Sequence, residues 1–325
     1  MLTPAKAIAD GLRAAQTVLI VNHENPDGDC LGSSLALALA LESLGKQVTV
    51  ASTDGVPAMY GFLPGADRIT ERADLGGPFD VAVGVECSDV HRAGKFAGAL
   101  SAARVVVNID HHLDNSGYGD LVWSDPEASA VAELFYRLIL ELGCEVDERI
   151  ATCLMTGLLT DTGSFRYASV RPDSYLLAAE LVRRGAQPHR IYERVYESRP
   201  PAAVRLLGLA LARMVLSGDG ALAWTVVDEP MLQAAGARWE DTENIVGTLR
   251  SVAGVRLAVL FKVQAQEVKV SLRARDGVRA NDVALRFGGG GHVGAAGFTA
   301  RGPFDSVLAQ TLQAAEEELR RAADR

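Results

Sequence analysis

The segment VVVNIDHHLDN, residues 105–115, runs an apolar stretch into Asp110, His111 and His112. The chain has six histidines in 325 residues, so two adjacent imidazoles behind an aspartate concentrate groups that bind metals or move protons. Further clusters share this character. VNHENPDGDCLGSS sets His23, Asp27 and Asp29 in a Pro/Gly loop, VECSDVHR carries Glu86, and GLLTDTGSFRY places Asp161 behind an apolar run. Hard divalent cations take carboxylate oxygens, and Mn²⁺ also accepts imidazole. Two cations sharing a bridging carboxylate would be a natural use of the set. Each cluster also has an ordinary structural use: Asp29 as a helix cap or dipole partner, Glu86 and Asp110 as polar strand ends, Asp161 as a helix end running into Gly163.

The elements around these residues argue for the joint reading. TVLIVN (17–22), QVTVAS, FDVAVGVE (79–86) and RVVVNID (104–110) read as buried strands. LGSSLALALALESLG (31–45) and ASAVAELFYRLILELG (128–143) read as helices, each closed by a glycine. Alternation of apolar strands with helices predicts an α/β fold: a doubly wound, mainly parallel sheet covered on both faces. Ligands of such sheets sit beyond the carboxyl ends of the strands, where His23, Glu86 and Asp110–His112 fall. Residues 1–190 are expected to form this first domain, 191–213 a helical linker, and 214–325 a smaller α/β domain, with a cleft between the two. In the second domain, VRLAVLFKVQAQEVKVSLRA (255–274) reads as a hairpin turning at Gln264–Glu267, and residues 304–322 as an amphipathic helix.

Bulk properties narrow the function. The net charge is −9, with 19 Lys+Arg against 27 Asp+Glu in residues 1–213 and 13 against 14 in residues 214–325. No large basic face for long duplex nucleic acid is expected from that balance. Aromatic residues are 6% of the chain, too few for a long stacking platform on single strands. Cys30, Cys87, Cys144 and Cys153 have no metal-type spacing and read as free thiols of a reducing cytoplasm. No apolar run is long enough to span a membrane, and no signal peptide is evident. The oligomeric state is not readable from the sequence, and a homodimer is kept as one possible assembly.

The order H-x-x-x-D-x-D, then D-H-H, then T-D-T-G resembles the DHH phosphoesterases. The tail FGGGGHVGAAGF (287–298) is similar to the DHHA1 domain that one branch carries. In size and domain pairing the chain resembles the stand-alone branch that trims very short RNA and dephosphorylates 3′-phosphoadenosine 5′-phosphate. The resemblance implies two divalent cations, Mn²⁺ by preference with Mg²⁺ as substitute. One would be held by His23, Asp27 and Glu86, the other by Asp29, Glu86, His111 and Asp161. Asp110 would orient the adjacent histidines, and His112 would face the phosphate. Glu86 departs from the family, whose bridging residue is aspartate; the extra methylene moves the carboxylate by roughly 1.5 Å, a distance to which catalytic geometry is sensitive. Asp89 is an alternative ligand, and Arg92 matches the family's arginine.

Four glycines at 288–291 before His292 permit close approach of backbone N–H groups to an anion. The resemblance assigns Arg273, Asn281 and His292 to the substrate, beside Gly289, Gly290 and Gly291. Arg166 is a further phosphate candidate, and Arg275 is either that or a solvated strand residue. Phe165 and Tyr167 read as core. The expected activity is two-metal hydrolysis of very short single-stranded RNA to mononucleotides and of adenosine bisphosphate to AMP. Alternatives are a phosphodiesterase for linear or cyclic di-adenylate, and a nucleotide-binding protein impaired at Glu86.

Overall fold

The five strands of the first sheet are short, and the central ones are sealed from water on both faces. They are β1 (Thr17–Asn22), β2 (Gln47–Ala51), β3 (Val81–Val85), β4 (Val105–Asp110) and β5 (Leu121–Ser124). The sheet is parallel throughout, in the order β2-β1-β3-β4-β5. The computed structural model describes residues 3–324, which divide into one unit ending at Ser198 and another beginning at Arg199.

Register is what gathers the chemistry. Asn22 pairs with Val85, and Val85 with Ile109, so the next residue of each strand falls in one row: His23, Glu86, Asp110. The chain leaves β1 for β2 on one side and returns to β3 on the other. That reversal opens the crevice in which doubly wound sheets bind ligands, and His23 and Glu86 stand on its two sides.

Helices α1 (Pro4–Ala14), α2 (Gly28–Ser43), α3 (Ala97–Ser101), α4 (Val131–Glu141), α5 (Glu148–Asp161), α6 (Pro172–Arg183) and α7 (Pro188–Tyr196) complete the first unit. α2 is buried without interruption from Gly28 to Leu41, because α4 and α5 cover the side that the sheet does not. The close approach of α2 and α5 depends on missing side chains. A Cβ on Gly32 would overlap the Cys153 carbonyl, and one on Gly157 would overlap the Asp29 carboxylate. α2 starts three residues earlier than its apolar pattern indicates, since Asp27 accepts from the N–H groups of Asp29 and Cys30, both at 3.0 Å. β5 and α1 are among the elements not expected from the sequence. β5 is a four-residue, half-buried edge strand. α1 is capped by Thr3 and buries Ile8, Ala9 and Leu12.

The second unit contains α8 (Pro201–Ala212), β6 (Val215–Leu216), β7 (Leu222–Asp228), α9 (Glu229–Ala235), α10 (Ile245–Arg250), β8 (Leu257–Val263), β9 (Val268–Ala274), α11 (Ala280–Leu285), β10 (Gly290–His292), β11 (Ala295–Ala300) and α12 (Phe304–Ala323). Its mixed sheet has the order β10-β11-β9-β8-β7-β6. The β8–β9 hairpin turns where the sequence places it, closed by the Gln264 N–H donating to the Glu267 carbonyl at 2.9 Å. Alternation along β8 splits the core in two. Leu257, Val259 and Phe261 face α12, while Ala258 and Leu260 face Leu206 of α8 and Leu249 of α10. α8 is therefore part of this unit's core rather than a free connector. No helix among the described residues is long and apolar enough to cross a membrane.

Candidate metal centre

Two histidines point their Nε2 atoms at one carboxylate, and a backbone carbonyl fixes each ring. His23 Nδ1 lies 2.7 Å from the Glu24 carbonyl, and His111 Nδ1 lies 3.0 Å from the Ala128 carbonyl. A carbonyl has no proton to give, so each Nδ1–H is the donor and Nε2 is left as the coordinating atom. His23 Nε2 is 3.4 Å from Glu86 Oε2, and His111 Nε2 is 4.0 Å from Glu86 Oε1 and 3.5 Å from Asp161 Oδ2. Glu86 thus lies between the imidazoles. Just past the end of β3, it takes a left-handed backbone (φ 53°), which is costly for a residue other than glycine and is concentrated at functional sites.

Asp29 is held differently. Its Oδ2 accepts from the Val131 N–H at 2.5 Å and its Oδ1 from the Ala132 N–H at 3.0 Å, the first two N–H groups of α4. Ala130, the residue preceding α4, offers no side-chain cap, so an aspartate 102 residues away does that work. Charged hydrogen bonds of this kind contribute about 1.5–3 kcal/mol each. Ser33 Oγ also donates to Oδ1 at 3.3 Å.

Burial without a cation raises these carboxyls. Desolvation raises Asp29 against the opposing pull of His111 and a bond with Glu86, and it raises Glu86 well above its ordinary range with Asp29 and Asp27 adding to the shift. Asp161, closing α5, is pushed up to about 8 by burial and by Asp29. His23 is lowered by burial. His111, although buried, is raised on balance by Asp161 and Asp29. Glu86 Oε1 is buried with no hydrogen-bond partner. Carboxylate oxygens and imidazole nitrogens packed in a dry volume, with one oxygen unsatisfied, fit a divalent cation, which would supply the missing positive charge. Donor atoms of Asp29, Glu86 and His111 all lie within 4.8 Å of one another, as do those of His23, Cys30 and Glu86. Glu86 is common to both groups. Asp27 is more exposed and caps α2, but its charge acts on His23, Glu86 and Asp161.

Asp110 serves a different purpose. Its Oδ1 accepts from the backbone N–H groups of His111 at 2.7 Å and His112 at 3.0 Å, and lies 2.7 Å from His112 Nδ1. Its Oδ2 accepts from Asn115 Nδ2 at 2.6 Å, and Asn115 is locked to Asn108 through both amide groups. Burial works against the Asp110 charge, but the bonds from His112 and Asn115 outweigh it and hold the carboxyl low. An ionised Asp110 makes Nδ1–H the donor and fixes the tautomer of His112, with Nε2 as the unprotonated ring nitrogen. Asn115 is absent from the residues singled out in the sequence, although it lies within the DHHLDN stretch. Asp89 is engaged as a local cap, accepting from the His91 N–H at 2.9 Å.

The loop after Asp161 is tightly wound, with Gly163, Ser164 and Phe165 all left-handed. Arg166 Nε donates to the Gly163 carbonyl at 2.7 Å. Phe165 stacks on Tyr175 at 5.1 Å and packs against the core as expected, whereas Tyr167 is 46% exposed rather than core.

In the second unit the glycine run is not a loop. Gly288 is left-handed after α11, Gly290–His292 forms edge strand β10, and Gly289 and Gly291 lie so close to β11 that a Cβ on either would overlap it. Packing against β11 and a turn conformation account for three of the four glycines. Gly288 and Gly290 both face open space, and of the two only Gly290 has an ordinary backbone. Arg273 pairs with Ala295, and Ala295 with His292, so Arg273 and His292 share one row and one face with a small residue between them. The Ala280 N–H donates to the Val293 carbonyl at 2.8 Å, placing Asn281 beside the β10–β11 turn with a buried, unpartnered Oδ1. Arg275 is exposed just past the end of β9, and its guanidinium is engaged locally, donating to the Val255 carbonyl at 2.6 Å and the Val252 carbonyl at 3.3 Å.

Residues 17–158 match the N-terminal domain of the DHH family, and residues 224–321 match the DHHA1 domain. The chain is 36% identical over 319 residues to the bifunctional oligoribonuclease and PAP phosphatase NrnA of Thermus thermophilus, covering 98% of this chain and 95% of that protein. It is 26% identical to the NrnA of Bacillus subtilis, covering 86% and 88%. An exopolyphosphatase-related protein from Bacteroides fragilis superposes with a TM-score of 0.93 at 27% identity, covering 98% of this chain and 97% of that one. With both domains matched in order and a relative aligned over nearly its full length, the chain belongs to the DHH phosphoesterase family.

Proposed function

We propose that the protein is a two-metal phosphohydrolase that degrades very short RNA oligonucleotides to mononucleotides and dephosphorylates 3′-phosphoadenosine 5′-phosphate to AMP. The observation that carries this reading is Glu86, set between His23 and His111 with one oxygen buried and unpartnered. The 36% identity to a protein named for both activities supports the substrate class. His23, Asp27 and Glu86 would hold one cation, and Asp29, Glu86, His111 and Asp161 the other, with Mn²⁺ preferred and Mg²⁺ accepted. Bound there, divalent cations would supply Lewis acidity toward the phosphate and toward the attacking water.

The chain's own residues prepare the remaining steps. The carbonyls of Glu24 and Ala128 set the tautomers of His23 and His111. Asp110 fixes His112 with Nδ1–H donating, so that its Nε2 can meet a phosphate oxygen and carry a proton there. Asp29 stays in place because α4 begins on it. The second unit would hold the terminal nucleotide through Arg273, Asn281, His292 and the exposed backbone around Gly290, and Arg166 would add charge beside Asp161. A substrate with one reacting phosphate and one terminal nucleotide describes both a dinucleotide and adenosine bisphosphate.

The test is Mn²⁺-dependent release of AMP from 3′-phosphoadenosine 5′-phosphate and of mononucleotides from a diribonucleotide, with Asp161→Ala as control. Turnover of both in the parent and its loss in the variant is expected. Absence of any cation-dependent release would overturn the assignment.

A further inference from the structure

Beside the row of ligands lies a donor that the phosphoesterase reading leaves unused. Cys30, in the first turn of α2, is fully buried. Its sulfur and the donor atoms of His23 and Glu86 all lie within 4.8 Å of one another. The thiol meets only distant acceptors, Asn22 Oδ1 at 3.5 Å and the Val85 carbonyl at 3.4 Å, and S–H is a weak donor. Its two neighbours are already aimed. His23 has Nδ1–H committed to Glu24 and presents Nε2, while Glu86, 2% exposed, has Oε1 without a partner. An imidazole nitrogen, a carboxylate oxygen and a thiol sulfur converging in a dry volume form a donor set for borderline or soft cations. Cys87 shares the Val85 carbonyl with Cys30, at 3.6 Å, but is not among the three converging donors, and Cys144 and Cys153 lie elsewhere, with sulfurs against the carbonyls of Ala40 and Pro64.

We propose that Cys30 makes the His23–Glu86 half of the centre a site for a thiophilic cation such as Zn²⁺ or Co²⁺. This rests on the reading of His23 and Glu86 as cation ligands and concerns which ion they select. Two ligand sets share these residues: a hard set completed by Asp27 and a soft set completed by Cys30. With Mn²⁺ or Mg²⁺ the thiol keeps its proton. With Zn²⁺ the proton leaves to solvent and one metal–sulfur bond replaces it. Because the sets overlap, a thiophilic ion displaces Mn²⁺ from this position and acts as an inhibitor of the Mn²⁺-loaded enzyme.

The experiment uses the full, cation-free chain. Co²⁺ added to the parent should produce a near-ultraviolet sulfur-to-cobalt charge-transfer band that is missing in Cys30→Ser. Competition against a chelating dye should show Zn²⁺ bound at least about tenfold more tightly by the parent than by the variant, with Mn²⁺ affinity changed by less than about threefold. X-ray absorption of the Zn²⁺-loaded parent needs no variant and should show one sulfur at about 2.3 Å. Co²⁺ binding with no charge-transfer band, a band that survives Cys30→Ser, or a zinc shell of nitrogen and oxygen alone would each overturn the proposal while leaving the hard-cation centre standing. If neither Co²⁺ nor Mn²⁺ binds at all, the proposal and the two-metal reading fall together.

Discussion

The carboxyl edge of the parallel sheet and the glycine-rich edge of the mixed sheet are built in opposite ways. At the first, Asp29, Glu86, Asp110 and His23 are buried; the N–H groups of α4 hold Asp29 and the Glu24 carbonyl holds His23. At the second, Gly290, Gly291 and His292 are exposed on a three-residue edge strand. A region that must hold charge at fixed spacing is dehydrated and over-determined, and it strains the cation-free fold. The region proposed to hold a nucleotide is open, with Arg273 and His292 on a sheet row rather than in a core. Substitutions should therefore separate: at the first edge they change turnover and stability together, at the second they change apparent affinity alone.

The largest effect is expected from Asp29→Ala. It removes a proposed ligand and orphans the first two N–H groups of α4, so turnover should fall by well over the ~10–100-fold typical of orienting partners. Thermal unfolding should show a loss of about 2–4 kcal/mol. Asp110→Asn keeps the shape but lets the wrong tautomer of His112 form, and should lower kcat by about 10²–10⁴-fold with little change in KM. Steady-state kinetics at saturating Mn²⁺ will distinguish the two variants.

The charge strain of the first edge gives a pH dependence with a defined sign. In the cation-free protein Asp161 is held at about 8, against an ordinary value of 3.8, and Glu86 is raised as well. The folded state keeps a proton that the unfolded chain releases near pH 4. Its stabilising contribution is present in full below that pH and is lost as pH rises through about 8. Melting temperature measured without cations should drop across that interval, and Mn²⁺ should recover it, most strongly at the alkaline end. A flat profile would mean that the edge is not strained as described.

The second edge should respond more mildly. Gly290 has ordinary backbone and open space around its Cα, so Gly290→Ala should fold normally. It should raise KM by about tenfold, roughly 1.4 kcal/mol, with kcat unchanged. Arg275→Ala should alter KM by less than about twofold, since that side chain is spent on the Val252 and Val255 carbonyls. If Gly290→Ala depresses kcat as Asp110→Asn does, the separation between the edges fails.

The same contrast explains what the sequence reveals. His23, Glu86 and Asp110 are legible because each follows an uninterrupted apolar strand, and parallel register then aligns them. Asp27 and Asp29 are legible as ligand types, but not the fact that one caps α2 while the other caps α4 from 102 residues away. A non-local bond leaves no mark on local pattern. Asn115 is hidden for a similar reason, because its work is done through Asn108 and Asp110. The glycine run misleads in the other direction. It reads as an anion-binding loop, yet Gly289 and Gly291 are required mainly by the closeness of β11. β5 escapes notice because a four-residue, half-exposed edge strand carries too little apolar pattern to be distinguished from a loop.

The central claim is that Glu86, despite the extra methylene, bridges two cations. Anomalous diffraction from a crystal equilibrated with Mn²⁺ tests it most directly. The account predicts two peaks about 3.5–4 Å apart, each within about 2–2.5 Å of a different Glu86 oxygen. A single peak, or two peaks with Glu86 bound to neither or to only one, would contradict it.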